Sequence, residues 1–157
     1  MIIGILSDTH DNLPQIEKAV KFFNQKKVDF VLHAGDFIAP FTIDKLGKLS
    51  CEWLGVFGNN DGEKKGLSSK SEGRIRKPPL RTRLGGRKIT VVHDREAIDF
   101  KKEKADLIIF GHSHKAEVAK NDGKLIVNPG ECSGWLSGKS SVAVADLENL
   151  TAKIFRI

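Results

Sequence analysis

Apolar runs and polar punctuation alternate along the chain and define its elements before any single residue is weighed. MIIGILS at the start is a strand-length apolar run, and from Leu13 to Lys27 the positions Leu13, Ile16, Ala19, Val20 and Phe23 keep a helical period. Asp11 or Asn12 stands where an N-cap belongs, and Pro14 occupies a first-turn position that tolerates proline. DFVLHAGD then reads as a buried strand, PFTIDKLGKL as a short helix and CEWLGVFGNND as a third strand ending in a turn. Strands alternating with helices predict a parallel sheet.

The second half has a different rhythm. After a loop of about 15 residues, LRTRL and RKITVVH flank Gly85 and Gly86, the signature of a hairpin with a two-residue turn. A charged helix is expected from about Glu96 to Lys104, followed by the strand DLIIF. AEVAK, KLIVN, SVAVADL and AKIFRI are short strands separated by NDG and LEN turns. The expectation is one α/β domain over residues 1–157, with two sheets packed together and helices outside.

Composition narrows the class. A chain of 157 residues with 39% hydrophobic content is large enough for one real core. The opening apolar run is interrupted by Asp8 and His10, and no run approaches the roughly 20 residues of a membrane span, so a soluble, cytoplasmic protein without membrane association is expected. Cys51 and Cys132 lack the spacing of a disulfide scaffold or a zinc knuckle, which suits a reducing compartment, with a single bridge between them left open. The net charge of +6 is uneven, because residues 63–88 hold ten Lys or Arg against only Glu63 and Glu72. That run is either a solvated loop and hairpin edge, the favoured reading, or a steering surface for nucleic acid. No aromatic residue interrupts it, so the stacking platform of a single-strand binder is missing.

The polar residues that carry chemistry collect at strand ends. Asp8 and His10 follow the first strand, Asp36 the second, Asn59 the third and His93 the KITVVH strand, while His112 and His114 follow DLIIF. Loops beyond the carboxyl ends of parallel strands converge on one crevice, so residues distant in sequence become one cluster. Residues two apart in an extended segment point to one side, which would make Asp8 with His10, and His112 with His114, two pincers for metal. Two Asp, one Asn and four His offer oxygen and imidazole donors without thiolate, a set that suits manganese, iron, cobalt, nickel or zinc. Seven donors exceed one tetrahedral ion and suit two ions sharing a carboxylate. His33, three residues before Asp36, is expected to be a satisfied core histidine. Trp53 is expected in the core, whereas Trp135, in CSGWLSG, suits either a substrate rim or a subunit contact.

The ordered set DTH, GD, GNND, VVH and GHSH resembles the calcineurin-like metallophosphoesterase superfamily, and its small phosphodiesterase branch in particular; NPGECSG looks like that of archaeal members. The resemblance runs from Ile2 to about Asp146. It implies a four-layer sandwich of two mixed β-sheets flanked by α-helices, and hydrolysis of phosphodiester substrates at two divalent ions. On it Asp8, His10 and His114 hold the first ion, Asp36 bridges, and Asn59, His93 and His112 hold the second, with Asp36, His112 and Asn60 on the catalytic side. Two positions depart from the pattern. Asn60 stands where many relatives carry a histidine thought to protonate the leaving group, and an amide has no proton to give at neutral pH. Asp94 stands where glycine is usual. Members that serve as protein-binding scaffolds supply an alternative function, and a nuclease or nucleotide-processing enzyme another; a homodimer is expected by analogy.

Overall fold

In the computed structural model, which describes residues 1–157, the first half alternates as its pattern requires. Strand β1 (Ile2–Leu6), helix α1 (Leu13–Lys26), strand β2 (Phe30–His33), a 3-10 turn at Pro40–Thr42 leading into α2 (Ile43–Leu46), and strand β3 (Glu52–Val56) follow in order. Helix α3 (Lys64–Lys70) and strand β4 (Ile75–Arg76) come next, then β5 (Leu80–Leu84), β6 (Arg87–Val91) and β7 (Leu107–Ile109). Strands β8 (Glu117–Asn121), β9 (Lys124–Asn128), β10 (Ser141–Asp146) and β11 (Thr151–Arg156) complete the chain.

These strands make two mixed sheets, one ordered β11-β10-β1-β2-β3-β4 and the other β5-β6-β7-β9-β8. Strands β1 to β4 are parallel, as are β6, β7 and β9, while β5, β8, β10 and β11 pair antiparallel. The β5–β6 turn has positive φ at both Gly85 and Gly86 (53° and 78°), the backbone a two-residue hairpin loop needs.

Strand alternation divides the core into layers. Ile3, Ile5, Leu32 and Val56 face Ile89, Val91, Leu107 and Val127 between the sheets. On the opposite face of the first sheet, Ile16, Ala19, Val20 and Phe23 of α1 pack with Leu6, Val31 and Trp53, which places Trp53 in the core as expected. Asn12 caps α1 by accepting from the Gln15 amide, while Asp11 turns away to accept from the Ala39 amide at 2.9 Å. Cys51 and Cys132 are free thiols, and burial pushes the Cys132 thiol up to about 12.

Two expected elements differ. The loop of about 15 residues before the hairpin contains α3 and β4; with Gly66, Ser68 and Ser69 in the helix, only the buried Leu67 marks its inner face, too little for a period to be read. The helix expected over Glu96–Lys104 is instead a 3-10 turn at Arg95–Ala97 followed by further turns. Asp94 accepts from the Glu96 amide (2.9 Å) and Asp99 from the Lys101 amide (3.0 Å), local bonds that compete with helix formation. Ile98 and Phe100, two residues apart, pack against Val92, Phe110 and Ile126, so turns rather than a helix cover the outer face of the second sheet.

Candidate metal centre

The parallel strands β1, β2 and β3 of one sheet and β6 and β7 of the other deliver their following loops to one edge, where backbone bonds knit them together. The Asp8 amide donates to the Gly35 carbonyl (2.9 Å), the Gly111 amide to the His93 carbonyl (2.9 Å) and the Cys132 amide to the Ser7 carbonyl (2.9 Å). His93 Nδ1 bonds the Ala34 carbonyl at 2.8 Å, which ties the second sheet to the end of β2. All seven residues singled out as metal donors arrive at this edge.

They do not arrive as extended pincers. Asp8, His10, Asp36, His112 and His114 have φ of 54°, 40°, 62°, 64° and 59°, in the left-handed region that non-glycine residues adopt at a cost. Successive side chains therefore do not alternate as on a strand, and the histidines pair across loops instead of along the chain. His10 stacks with His114 at a centroid distance of 5.2 Å, while His93 meets His112 edge-on at 5.2 Å.

The result is two adjacent stations. Asp8, His10 and His114 bring ligand atoms within 4.8 Å of one another, and so do Asp8, Asp36 and His93. Asp36 Oδ2 lies between them, 3.6 Å from His10 Nε2 and 3.4 Å from His93 Nε2. Asn59 Oδ1 lies 2.8 Å from His93 Nε2 and 2.9 Å from His112 Nδ1, so the amide oxygen faces the second station. Metal bonds of about 2.0–2.2 Å to nitrogen and oxygen hold neighbouring ligand atoms roughly 3–3.5 Å apart. The 3.4 Å from His93 Nε2 to Asp36 Oδ2 and the 3.5 Å from His114 Nε2 to Asp8 Oδ1 match that requirement. Asp8 Oδ1 and His10 Nε2 are also buried without a hydrogen-bond partner, which is costly for polar atoms unless something else satisfies them. The residues fit divalent ions.

The electrostatics agree. The Asp8 carboxylate, 3.8 Å from His10 Nε2, outweighs burial and raises the pKa of His10. Burial works against the charged form of His93, but the adjacent Asp36 carboxylate prevails and raises it. Burial would likewise raise Asp36, yet His93 and the Asn60 amide hold its carboxyl well below the usual range. His33 behaves as expected of a core residue: it is fully buried, its Nδ1 accepts from the Gly35 amide (3.1 Å) and its Nε2 meets Thr9 Oγ1 (3.2 Å), and burial lowers it to about 3.

Two carboxylates that the sequence reading gave no role support this centre. Glu131, fully buried, bonds His114 Nδ1 through one oxygen, while the other accepts from the Leu136 amide (2.9 Å), the Ser137 amide (3.0 Å) and the Ser137 hydroxyl (3.1 Å). The imidazole is thereby turned so that Nε2 faces Asp8. Asp61 accepts from the Phe37, Ile38 and Gly58 amides at 2.7, 2.8 and 2.7 Å and from the Asp36 amide at 3.2 Å, binding two of the ligand-bearing loops to each other. Both residues stand in stretches already set apart by their turn chemistry, NPGECSG and GNND; acidic residues just beyond a strand end were the available signal.

Asn60 is exposed, yet its backbone and side-chain amides donate to Asp36 at 2.9 and 2.7 Å, orienting that carboxylate. Trp135 is exposed at the rim, its indole N–H donating to the His10 carbonyl at 3.1 Å, which favours the substrate-rim reading of this residue by position.

A family model described as the calcineurin-like phosphoesterase superfamily domain matches residues 1–150. A phosphodiesterase of Methanocaldococcus jannaschii is 35% identical over 156 residues, covering 94% of each chain. A solved archaeal phosphodiesterase superposes with a TM-score of 0.94 at 32% identity, covering 100% of both chains. The zinc-bound Vps29 protein of Entamoeba histolytica shares the fold, with a TM-score of 0.74 at 23% identity over 100% of this chain and 98% of its own. Motif order, sheet topology and whole-chain similarity agree, and this chain belongs to the calcineurin-like phosphoesterase superfamily.

Proposed function

We propose that this chain is a metal-dependent phosphodiesterase, a phosphoric diester hydrolase working at a dinuclear centre. Asp8, His10 and His114 hold one divalent ion, Asn59, His93 and His112 hold the other, and Asp36 is shared. The observation that carries this reading is the position of Asp36 Oδ2 between His10 Nε2 and His93 Nε2, at 3.6 and 3.4 Å. The phosphodiesterase relative from Methanocaldococcus jannaschii supports the substrate class. Manganese is the first candidate ion, with nickel, cobalt, iron and zinc chemically suited to the same donors. When bound, such ions supply Lewis acidity toward a phosphoryl oxygen and lower the pKa of water.

The chain's own residues set the rest. Asn60 holds Asp36 through two hydrogen bonds, which orients the shared carboxylate. An amide releases no proton at neutral pH, so the departing oxygen takes its proton from solvent. Aryl diesters with low leaving-group pKa are therefore expected to react much faster than alkyl diesters. A shallow dependence of log kcat/KM on leaving-group pKa would overturn that assignment for Asn60.

The reading as a whole is tested with metal-stripped protein refilled in turn with Mn, Ni, Co, Zn and Mg. Hydrolysis of bis(p-nitrophenyl) phosphate exceeding that of the monoester, and dependent on the ion, is expected. Protein that takes up two ions yet cuts neither ester would remove the proposal in favour of a scaffold role. The buried carboxylate behind the first station gives a separate check, because Glu131→Gln leaves the ligand list untouched. Partners of this kind are worth roughly 10–100-fold in metal affinity. Calorimetric titration of the Glu131→Gln variant is expected to show that loss in one class of site only. Equal affinity in wild type and variant would mean that Glu131 serves loop folding alone.

A further inference from the structure

Most cations of the basic segment sort into two groups by their partners, while Lys65, Arg76 and Lys88 make no side-chain ion pair and do not line the cavity beside the second metal station. Lys70 pairs with Asp44 (2.8 Å), Arg74 with Glu72 (2.9 Å) and Arg81 with Glu103 (2.8 Å), while Arg83 and Arg87 donate to backbone carbonyls. These cations fasten the fold. Lys64 and Lys77 have no carboxylate within salt-bridge distance, and both line one cavity of about 480 Å³ beside the second metal station. Asn59, His93 and His112 border that cavity directly, so whatever fills it lies against the proposed reaction centre.

The cavity has a specific chemistry. Phe57, Pro78 and Ala97 contribute apolar wall, and Lys64 Nζ lies 6.0 Å from the centroid of the Phe57 ring, which brings the ammonium group over the aromatic face. Asp94 is the only carboxylate in the lining, and its Oδ1 already accepts from the Glu96 amide at 2.9 Å. Two ammonium groups against one engaged carboxylate leave the cavity cationic, and an ammonium is a strongly hydrated point charge suited to phosphate. The volume falls in the range of sites that enclose a small organic ligand.

We propose that this cavity is the subsite for one ester arm of the substrate, and that this arm is a nucleoside-sized group carrying a second phosphate. The proposal rests on the phosphodiesterase reading. Water adds to the central phosphorus and gives up a proton to solvent, the bond from phosphorus to one ester oxygen breaks, and that oxygen takes up a proton from solvent. The second phosphate takes no part in the chemistry; Lys64 and Lys77 hold it while Phe57 and Pro78 flank the arm.

The test uses two chromogenic substrates that differ only in the feature at issue, thymidine 5′-(p-nitrophenyl phosphate) and its 3′-phosphorylated counterpart. The phosphorylated substrate is expected to have a kcat/KM higher by about 10- to 100-fold, mainly through KM, since hydrogen bonds to charged groups are worth about tenfold or more each. The ratio between the two substrates should collapse toward one in Lys64→Ala/Lys77→Ala and survive in Lys65→Ala/Lys88→Ala, which removes as much charge from the same segment. A ratio near one in the wild type, or one that the first double variant leaves intact, overturns the proposal. If neither substrate is cut with any ion, the phosphodiesterase reading has failed instead. Equilibrium dialysis of thymidine 3′,5′-bisphosphate against metal-free protein then decides the subsite alone: weaker binding by Lys64→Ala/Lys77→Ala supports it, and equal binding ends it.

Discussion

Asp36→Ala is expected to abolish metal-dependent diester cleavage and the uptake of both ions together, while the protein stays folded. The expectation follows from where the carboxylate sits. Asp36 is buried, and one of its oxygens approaches a histidine of each station, 3.6 Å to His10 Nε2 and 3.4 Å to His93 Nε2. The fold survives because the Asn60 amides that lose their acceptor belong to an exposed residue and can turn to water. Removing one carboxylate from a site that holds two also relieves repulsion in the metal-free protein.

Two measurements check this. An ion at a hundred times its Kd stabilises a folded protein by about 2.7 kcal/mol per site, and a kilocalorie shifts Tm by roughly 2–4 °C in a domain of this size. The wild type is therefore expected to gain roughly 5–10 °C per occupied site on adding Mn, and Asp36→Ala almost nothing. If the variant retained one full-strength site, Asp36 would serve a single ion and the shared-carboxylate assignment would fall.

Much of this centre is legible in the sequence because its residues obey a positional rule. Asp8, Asp36, Asn59, His93 and His112 each follow a strand whose apolar run is strong enough to be seen alone, and parallel neighbours carry their ends to the same edge. The rule fixes which residues meet but not how they meet. Pairing of His10 with His114 and of His93 with His112 depends on left-handed backbone at Asp8, His10, His112 and His114, and nothing in a period of two signals such turns. Glu131 and Asp61 were missed for a related reason. Their function lies in the number of amides that converge on a buried carboxylate, a property of packed loops that no local spacing records.

The elements that differ from expectation are those in which local polar bonds override weak patterns. Charged residues over Glu96–Lys104 have adequate helix propensity, yet Asp94 and Asp99 bond amides two residues ahead and break the segment into turns. Helix α3 shows the converse: packing of the buried Leu67 sustains a helix whose Gly66, Ser68 and Ser69 argue against one. The basic segment around it is likewise neither all solvated nor all a binding surface, since Arg74, Arg81 and Arg87 fasten the fold while Lys64 and Lys77 border the cavity beside the second station.

Gly58→Ala is expected to damage the centre as severely as loss of a ligand, although residue 58 donates nothing to an ion. A Cβ there would stand 2.6 Å from the Asp36 amide nitrogen and 2.8 Å from its carboxylate carbon, and nearer still to Oδ1, inside the 3.0 Å that real Cβ atoms keep. The backbone has no easy retreat, because the Gly58 amide is held by Asp61 Oδ2 at 2.7 Å and the same carboxylate anchors the Asp36 loop. Relief requires either turning Asp36 out of the stations or parting the two loops that Asp61 joins. Overpacking of this kind costs about 1–3 kcal/mol, which urea unfolding resolves. Metal titration should show affinity lost by more than the roughly 10–100-fold of a supporting residue. Gly62→Ala supplies the control, since a Cβ at that position meets nothing within 4 Å and should leave both properties unchanged. Wild-type metal affinity in Gly58→Ala would show that Asp36 tolerates displacement, and the geometry assigned to the shared carboxylate would no longer hold.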